Sequence, residues 1–252
     1  MNSCIYTYDN NAHISLINDH PFTPDIRRRA NHEINFRRIC THLINNGTIK
    51  GNIIDSGAWI GDNVIPWAMN IKGLVYAIDP SPANCEFINR MANQNYITNV
   101  RIFPYALNEA PSILKSRGDI NHCSFALGPA DAPEIEAHAL SLDYLKQNNL
   151  INNIGFIHLD VEGFEFRAVK GAVDVIQTYR PIIAFEQHTN TDDVKGLSDF
   201  LTNMDYTVYI INEVLVGCNP DCRNFIAFPN KMNVDVDAIN IALHLPQLIT
   251  KV

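Results

Sequence analysis

The segment Gly51-Asn-Ile-Ile-Asp55-Ser-Gly57-Ala-Trp-Ile-Gly61-Asp62 restricts the fold more than any other part of the chain. Ile53 and Ile54 form a short apolar run after a glycine, and Asp-Ser-Gly ends it, which is the pattern of a buried strand leading into a tight turn. Asp62 is placed to cap a helix beginning near Gly61, with Val64, Ile65, Ala68 and Met69 on one face. A strand, a glycine turn and a helix start in this order predict an α/β sheet that holds a nucleotide at the turn.

Charge bears on which nucleotide. A pyrophosphate site uses Gly-x-Gly-x-x-Gly so that backbone amides and the helix N-terminus can approach the phosphates. Here the order is Asp55-x-Gly57-x-x-x-Gly61, with Trp59 where the middle glycine would stand. That indole hinders a phosphate and the Asp55 carboxylate opposes it, whereas the same carboxylate favours an ammonium such as the methionine end of S-adenosylmethionine. A carboxylate that only caps the turn is the plainer alternative. A second apolar run, Gly73-Leu-Val-Tyr-Ala-Ile78, ends in Asp79, about twenty residues past the glycine turn, the distance at which a strand-end acid meets ribose hydroxyls. Asp79 supports a nucleoside cofactor without choosing between a methyltransferase and a nicotinamide dehydrogenase.

The 252 residues suffice for one large domain with a sizeable core. Hydrophobic content of 46% and charged content of 18% fit a globular enzyme. A net charge of -8 disfavours broad contact with a nucleic-acid backbone. No secretory leader and no run of about 20 apolar residues is visible, so neither a membrane span nor export is expected and a cytoplasmic location is. The six cysteines are scattered; Cys218-Asn-Pro-Asp-Cys222 is the one close pair, and it reads as a turn with two reduced thiols, since one pair cannot complete a four-ligand metal site.

Along the chain, the first twenty-odd residues read as a hairpin or lid, and a helix is predicted from Thr23 to about Asn46, with Arg27, Arg28, Arg29, Arg37 and Arg38 forming a solvated face or a grip on an acidic substrate. Further helices are expected over 81–95, 141–147, 164–178 and 192–204, and strands over 99–107, 154–159, 180–188, 206–211 and 223–228. Residues 108–140 form a long connection able to cover a ligand. The fold class is α/β, a three-layer sandwich around a mostly parallel seven-stranded sheet with one antiparallel edge strand. Residues 1–50 form an N-terminal segment and helix over the substrate side, 51–230 the core, and 231–252 a C-terminal tail or helix.

The chain resembles the FkbM family of S-adenosylmethionine-dependent methyltransferases in four blocks over residues 51–228. They are Ile-Asp55-Ser-Gly57-Ala-Trp-Ile-Gly61-Asp62; Val-Tyr-Ala-Ile-Asp79-Pro80-Ser-Pro82; Ser141-Leu-Asp143; and Leu159-Asp160-Val161-Glu162-Gly163-Phe-Glu165 followed by Lys170-Gly171-Ala172. The resemblance implies the class I methyltransferase fold. It places Asp55, Gly57, Ala58 and Gly61 around the methionine end, Asp79 and Pro80 at the ribose, Tyr105 and Ala106 near the adenine, and Asp160 at the cofactor's edge. It also implies methylation of an oxygen on a small molecule, sugar or glycan. The family usually carries Glu at the position of Asp79 and Lys at that of His158.

An alcohol acceptor must lose a proton as it is methylated. His158 and His188 are candidate bases, histidine being the side chain whose ordinary range brackets neutral pH, with Asp160 a further candidate. Asp160, Glu162 and Glu186, with Glu165, form an acidic group that could hold Mg2+ against two substrate oxygens, or could instead cap the following helix. The competing functional classes are an NAD(P)-dependent oxidoreductase and a nucleoside-binding module without turnover. The sequence leaves the oligomeric state open.

Overall fold

The computed structural model describes residues 3–7, 13–17, 22–24, 32–117, 134–215, 218–245 and 247–252. Its strands are β1 (Ser3–Thr7), β2 (His13–Ile17), β3 (Asn52–Ser56), β4 (Val75–Ile78), β5 (Val100–Phe103), β6 (Ala106–Leu107) and β7 (Ser112–Arg117) in the first half. The second half adds β8 (Glu134–Leu140), β9 (Ile154–Leu159), β10 (Ile182–His188), β11 (Tyr206–Ile211), β12 (Cys222–Pro229) and β13 (Ile249–Lys251). The main sheet has the order β13-β11-β12-β10-β9-β3-β4-β5. Strands β5, β4, β3, β9 and β10 are mutually parallel. β12 runs against both β10 and β11, and β13 runs against β11. The fold class is therefore the expected one, with an eighth strand from the C-terminal tail and the reversed β12 inside the sheet instead of at its edge.

Strand alternation sends neighbouring side chains to opposite faces. Ile53 joins one core with Phe36, Ile39 and Leu43 of α1 (Ile34–Asn45), Val64 and Trp67 of α2 (Val64–Asn70), Ile88 of α3 (Pro82–Gln94) and Ile239 of α8 (Val236–Ala242). Ile54 joins the other, with Leu142 of α4 (Leu142–Gln147), Val169 of α5 (Glu165–Lys170), Ile176 of α6 (Val173–Tyr179) and Leu197 of α7 (Val194–Asn203). Among the described residues no helix is long and apolar enough to cross a membrane.

Several elements differ from the sequence expectation for visible reasons. Thr23 and Pro24 are helical, as the sequence predicts, with the Thr23 hydroxyl donating to the Ile17 carbonyl; residues 25–31 lie outside the described residues, and α1 starts at Ile34 after the left-handed Glu33 (φ 53). Arg27, Arg28 and Arg29 lie outside the described residues. Strand 99–107 is cut after Phe103, and β6 passes into a separate sheet of order β6-β8-β7. The helix expected over 164–178 breaks at Gly171, where a Cβ would stand 2.3 Å from the Asn108 carbonyl oxygen. Asp143 then caps α6 from a distance, accepting from the backbone of Asp174 (3.1 Å) and Val175 (2.9 Å). As expected, Ser81 and Ser141 cap α3 and α4. β1 and β2 form a hairpin whose Ile14, Leu16 and Ile17 pack on Ile60, Ile65, Phe87 and Met91.

Candidate active site

From β3 the chain adds β4 and β5 on one side of the sheet, and β9 and β10 on the other, so the sheet changes direction between β3 and β9. Ligands of open α/β sheets bind outside the carboxyl ends of the strands at such a point. There Gly57, with φ 77, lets β3 turn against the start of the β9 exit: the Asp160 amide donates to the Ser56 carbonyl at 2.9 Å, and a Cβ on Gly57 would lie 1.7 Å from the Asp160 carbonyl oxygen. A narrow cleft opens above this junction. Its walls are Ser56, Gly57, Pro80, Tyr105, Ala106, Leu107, Leu114, Asp160, Val161 and Phe164. A larger hollow of about 650 Å3 between α7 and β11 holds none of the candidate site residues singled out in the sequence.

The two features that argued for a cationic ligand have other duties. Asp55 and His158 are register partners on β3 and β9, and alternation points both to the α1–α2 face with Ile53 and Phe156. The Asp55 carboxylate meets His158 Nδ1 at 2.7 Å, both side chains are 2% exposed, and Phe36 stacks on the imidazole at 4.8 Å. Burial opposes charge on the imidazole, but the hydrogen bond and charge of Asp55 outweigh it and hold His158 above its ordinary pKa. Neither residue is among the cleft's lining, and each is the other's buried partner. Trp59 packs against the core that includes Ile14, Leu16 and Ile17 of the hairpin. Its backbone, at φ 41, donates to Asp79 at 2.8 Å.

Asp79 does stand at the end of β4, but its carboxylate also accepts from the Ser81 amide (2.9 Å) and Asn84 Nδ2 (3.1 Å). It ties the glycine turn to the start of α3 and is 2% exposed. Asp62 does not cap α2: it pairs with Arg37 at 2.7 Å, and that arginine also reaches Asn63 at 3.1 Å. Arg37 is thus buried and serves neither a solvated face nor an acidic substrate, while Arg38 donates to the Leu243 carbonyl.

The acidic group divides in the same way. Asp160 lines the cleft. Glu165 turns inward and accepts from the amides of Val161 (2.9 Å) and Gly163 (3.1 Å), which fixes the Asp160–Gly163 turn. Glu162, left-handed at φ 53, sends its carboxylate to within 4.0 Å of His188 Nε2. Glu186 is buried beside Cys218 and Cys222, where burial and the nearby Asp160 and Glu33 push its carboxyl up to about 10. Among the described residues no metal-capable cluster joins Asp160 and Glu162 with Glu186, so nothing here supports the Mg2+ alternative. His188, 20% exposed, lies between Glu162 and Asp221 (3.7 Å) and outside the cleft walls.

The profile of the methyltransferase FkbM domain matches residues 55–208, from the glycine turn to β11. The chain belongs to the FkbM methyltransferase family. No curated protein matches it. Among solved structures it is similar to a methyltransferase FkbM from Methylobacillus flagellatus, with 19% identity and a TM-score of 0.48, over 71% of this chain and 45% of that one. A candidate O-methyltransferase from Klebsiella pneumoniae gives 14% identity and a TM-score of 0.52, over 85% and 92%. A candidate methyltransferase from Streptococcus mutans in complex with SAH gives 13% identity and 0.45, over 75% and 94%. The chain thus spans just under half of the Methylobacillus FkbM protein.

In this FkbM domain several supporting residues carry no sequence signal. Glu213, far along the chain, accepts from the amides of Asn35 (2.9 Å) and Phe36 (3.1 Å) and caps α1. Leu107, Leu114, Val161 and Phe164 complete the cleft; Val161 and Phe164 lie in the Asp-Val-Glu-Gly-Phe block, whereas Leu107 and Leu114 sit in no motif.

Buried acids in this domain predict a pH response. Burial raises Asp79 to about 6, Glu213 to about 7 and Glu165 to about 8. The native state keeps these protons after the unfolded chain has released them, so their contribution is complete in acid and is lost as pH rises through 6 to 8. His158, also raised, adds a loss of the same sign. Thermal melts at pH 5.5 and 8.5 are expected to show the lower Tm at 8.5, by roughly 2–10 °C for a loss on the order of 1–3 kcal/mol. A flat or rising Tm contradicts these assignments.

Proposed function

We propose that the chain is an S-adenosylmethionine-dependent O-methyltransferase for a hydroxyl of a small molecule, sugar or glycan. The observation that carries this reading is a cleft at the switch point between β3 and β9, with Asp160 on its wall, in a member of the FkbM family. The cleft suits an adenosyl group. Leu107, Leu114 and Phe164, with Tyr105 and Ala106, offer walls for a purine, and Pro80 flanks the ribose side.

S-Adenosylmethionine supplies, when bound, a methyl group activated on a sulfonium. The protein's part is to align donor and acceptor in line and keep bulk water out. Asp160 is the carboxylate on the cleft wall that can receive the acceptor's hydroxyl proton, and Glu165 positions it by holding the turn. The oxygen acceptor is supported by the family resemblance and by the candidate O-methyltransferase among the fold neighbours.

Labelled cofactor incubated with a panel of hydroxylated acceptors tests the reading. The native chain is expected to label at least one of them. Asp160→Asn is expected to lower transfer about 10²-fold or more while S-adenosylhomocysteine still binds. Equal transfer by the variant removes Asp160 from this role.

A further inference from the structure

Next to the cleft, β10 and β12 bring together side chains that methyl transfer does not use. Glu186 and His188 are two apart on β10 and so share a face, and Cys222 is the register partner of His188 on β12. Cys218 joins them from the turn that enters β12; its sulfur lies 3.6 Å from Glu186 Oε1, to which Cys222 also donates. One donor atom from each of the four residues lies within 4.8 Å of all the others.

We infer that Glu186, His188, Cys218 and Cys222 form a tetrahedral site for a zinc ion. Zinc takes thiolate at about 2.3 Å and imidazole or carboxylate at about 2.0–2.2 Å, so the donors of a filled site stand roughly 3.3–3.8 Å apart. Contraction by about 1 Å from the observed cluster meets that geometry. Two sulfurs, an imidazole and one carboxylate match a borderline-soft, tetrahedral dication and mismatch magnesium or calcium, which take oxygen shells. The surroundings point the same way. Glu186 is 7% exposed, Cys222 is fully buried, and among the described residues no Lys or Arg forms an ion pair with Glu186. A dication supplies the missing positive charge.

The Cys218–Cys222 pair, which alone cannot complete a site, gains its other two ligands from a strand end some thirty residues earlier in the chain. On binding, both thiol protons and any carboxyl proton pass to solvent and no electron moves. With four protein ligands the shell is closed, so the ion is structural. It ties the turn before β12 to the carboxyl end of β10, beside the wall that would face an acceptor. His188 then serves as a ligand and not as a base.

The test is metal content, which is independent of any methyltransferase activity. The full chain, purified without chelator and dialysed against zinc, is expected to hold about one zinc ion per chain, and replacement by Co2+ is expected to give thiolate-to-cobalt charge transfer that saturates at about one equivalent. Cys218→Ser and His188→Ala are each expected to weaken cobalt binding at least tenfold, whereas Cys85→Ser leaves it unchanged. If a variant does not fold, the native cobalt spectrum still decides. Less than about a tenth of an equivalent of zinc, a spectrum without charge transfer, recovery of a Cys218–Cys222 disulfide in place of metal, or full affinity in folded Cys218→Ser overturns the site.

Discussion

Gly57→Ala is expected to destabilise the domain by about 3 kcal/mol or more and to weaken S-adenosylhomocysteine binding at least tenfold. Two independent costs add. At φ 77 an alanine is held in the left-handed region, at roughly 1–2 kcal/mol. Its methyl carbon would also stand 1.7 Å from the Asp160 carbonyl oxygen and 2.7 Å from that residue's carbonyl carbon, and a backbone obstacle cannot rotate away. Forced overpacking of this kind costs about 1–3 kcal/mol. Because Ser56, Gly57 and Asp160 all line the cleft, relief of the clash widens the site itself. Gly61→Ala is the control. It has the same φ, but its new methyl group would first meet the Ile88 side chain at 3.1 Å, which can yield. It is expected to cost about 1–2 kcal/mol and to leave affinity nearly intact. Urea unfolding and ligand titration of both variants measure the contrast; equal behaviour would mean that the β3–β9 junction does not shape the site.

Asp55→Ala is the second large effect, with an expected loss of about 3–5 kcal/mol. It leaves the imidazole of His158 buried among Phe36 and Trp67 with its partner removed. The double variant Asp55→Val, His158→Leu removes both members and fills the space with apolar atoms, so it is expected to recover most of that stability. Its affinity for S-adenosylhomocysteine is expected to stay within about threefold of native, since the pair lies beneath the cleft. A loss of affinity in the stable double variant would restore Asp55 as a cofactor ligand.

These two sites show what was legible in the sequence. The parallel core could be read because β3, β4, β9 and β10 are apolar runs closing on Asp55, Asp79, Asp160 and Glu186, and the helices carry capping residues such as Ser81 and Ser141 in place. Asp55 and Trp59 carry the sequence argument for a sulfonium; in the fold, alternation turns Asp55 sideways to His158, and Trp59 packs against the core that the hairpin shares. What identifies the family is the order of the four blocks, matched by the domain profile over 55–208. Partners distant in sequence were not legible. Glu213 capping α1, Arg37 meeting Asp62 and the strand-end ligands beside Cys218 and Cys222 are joined only by the folded sheet.

Calorimetric titration of the native chain with S-adenosylhomocysteine, and separately with NAD, measures the central claim most directly. A cleft built for an adenosyl sulfonium predicts one site per chain with affinity on the order of micromolar for the first ligand, about -8 kcal/mol, and no heat from the second. Binding of NAD with no response to S-adenosylhomocysteine would contradict it.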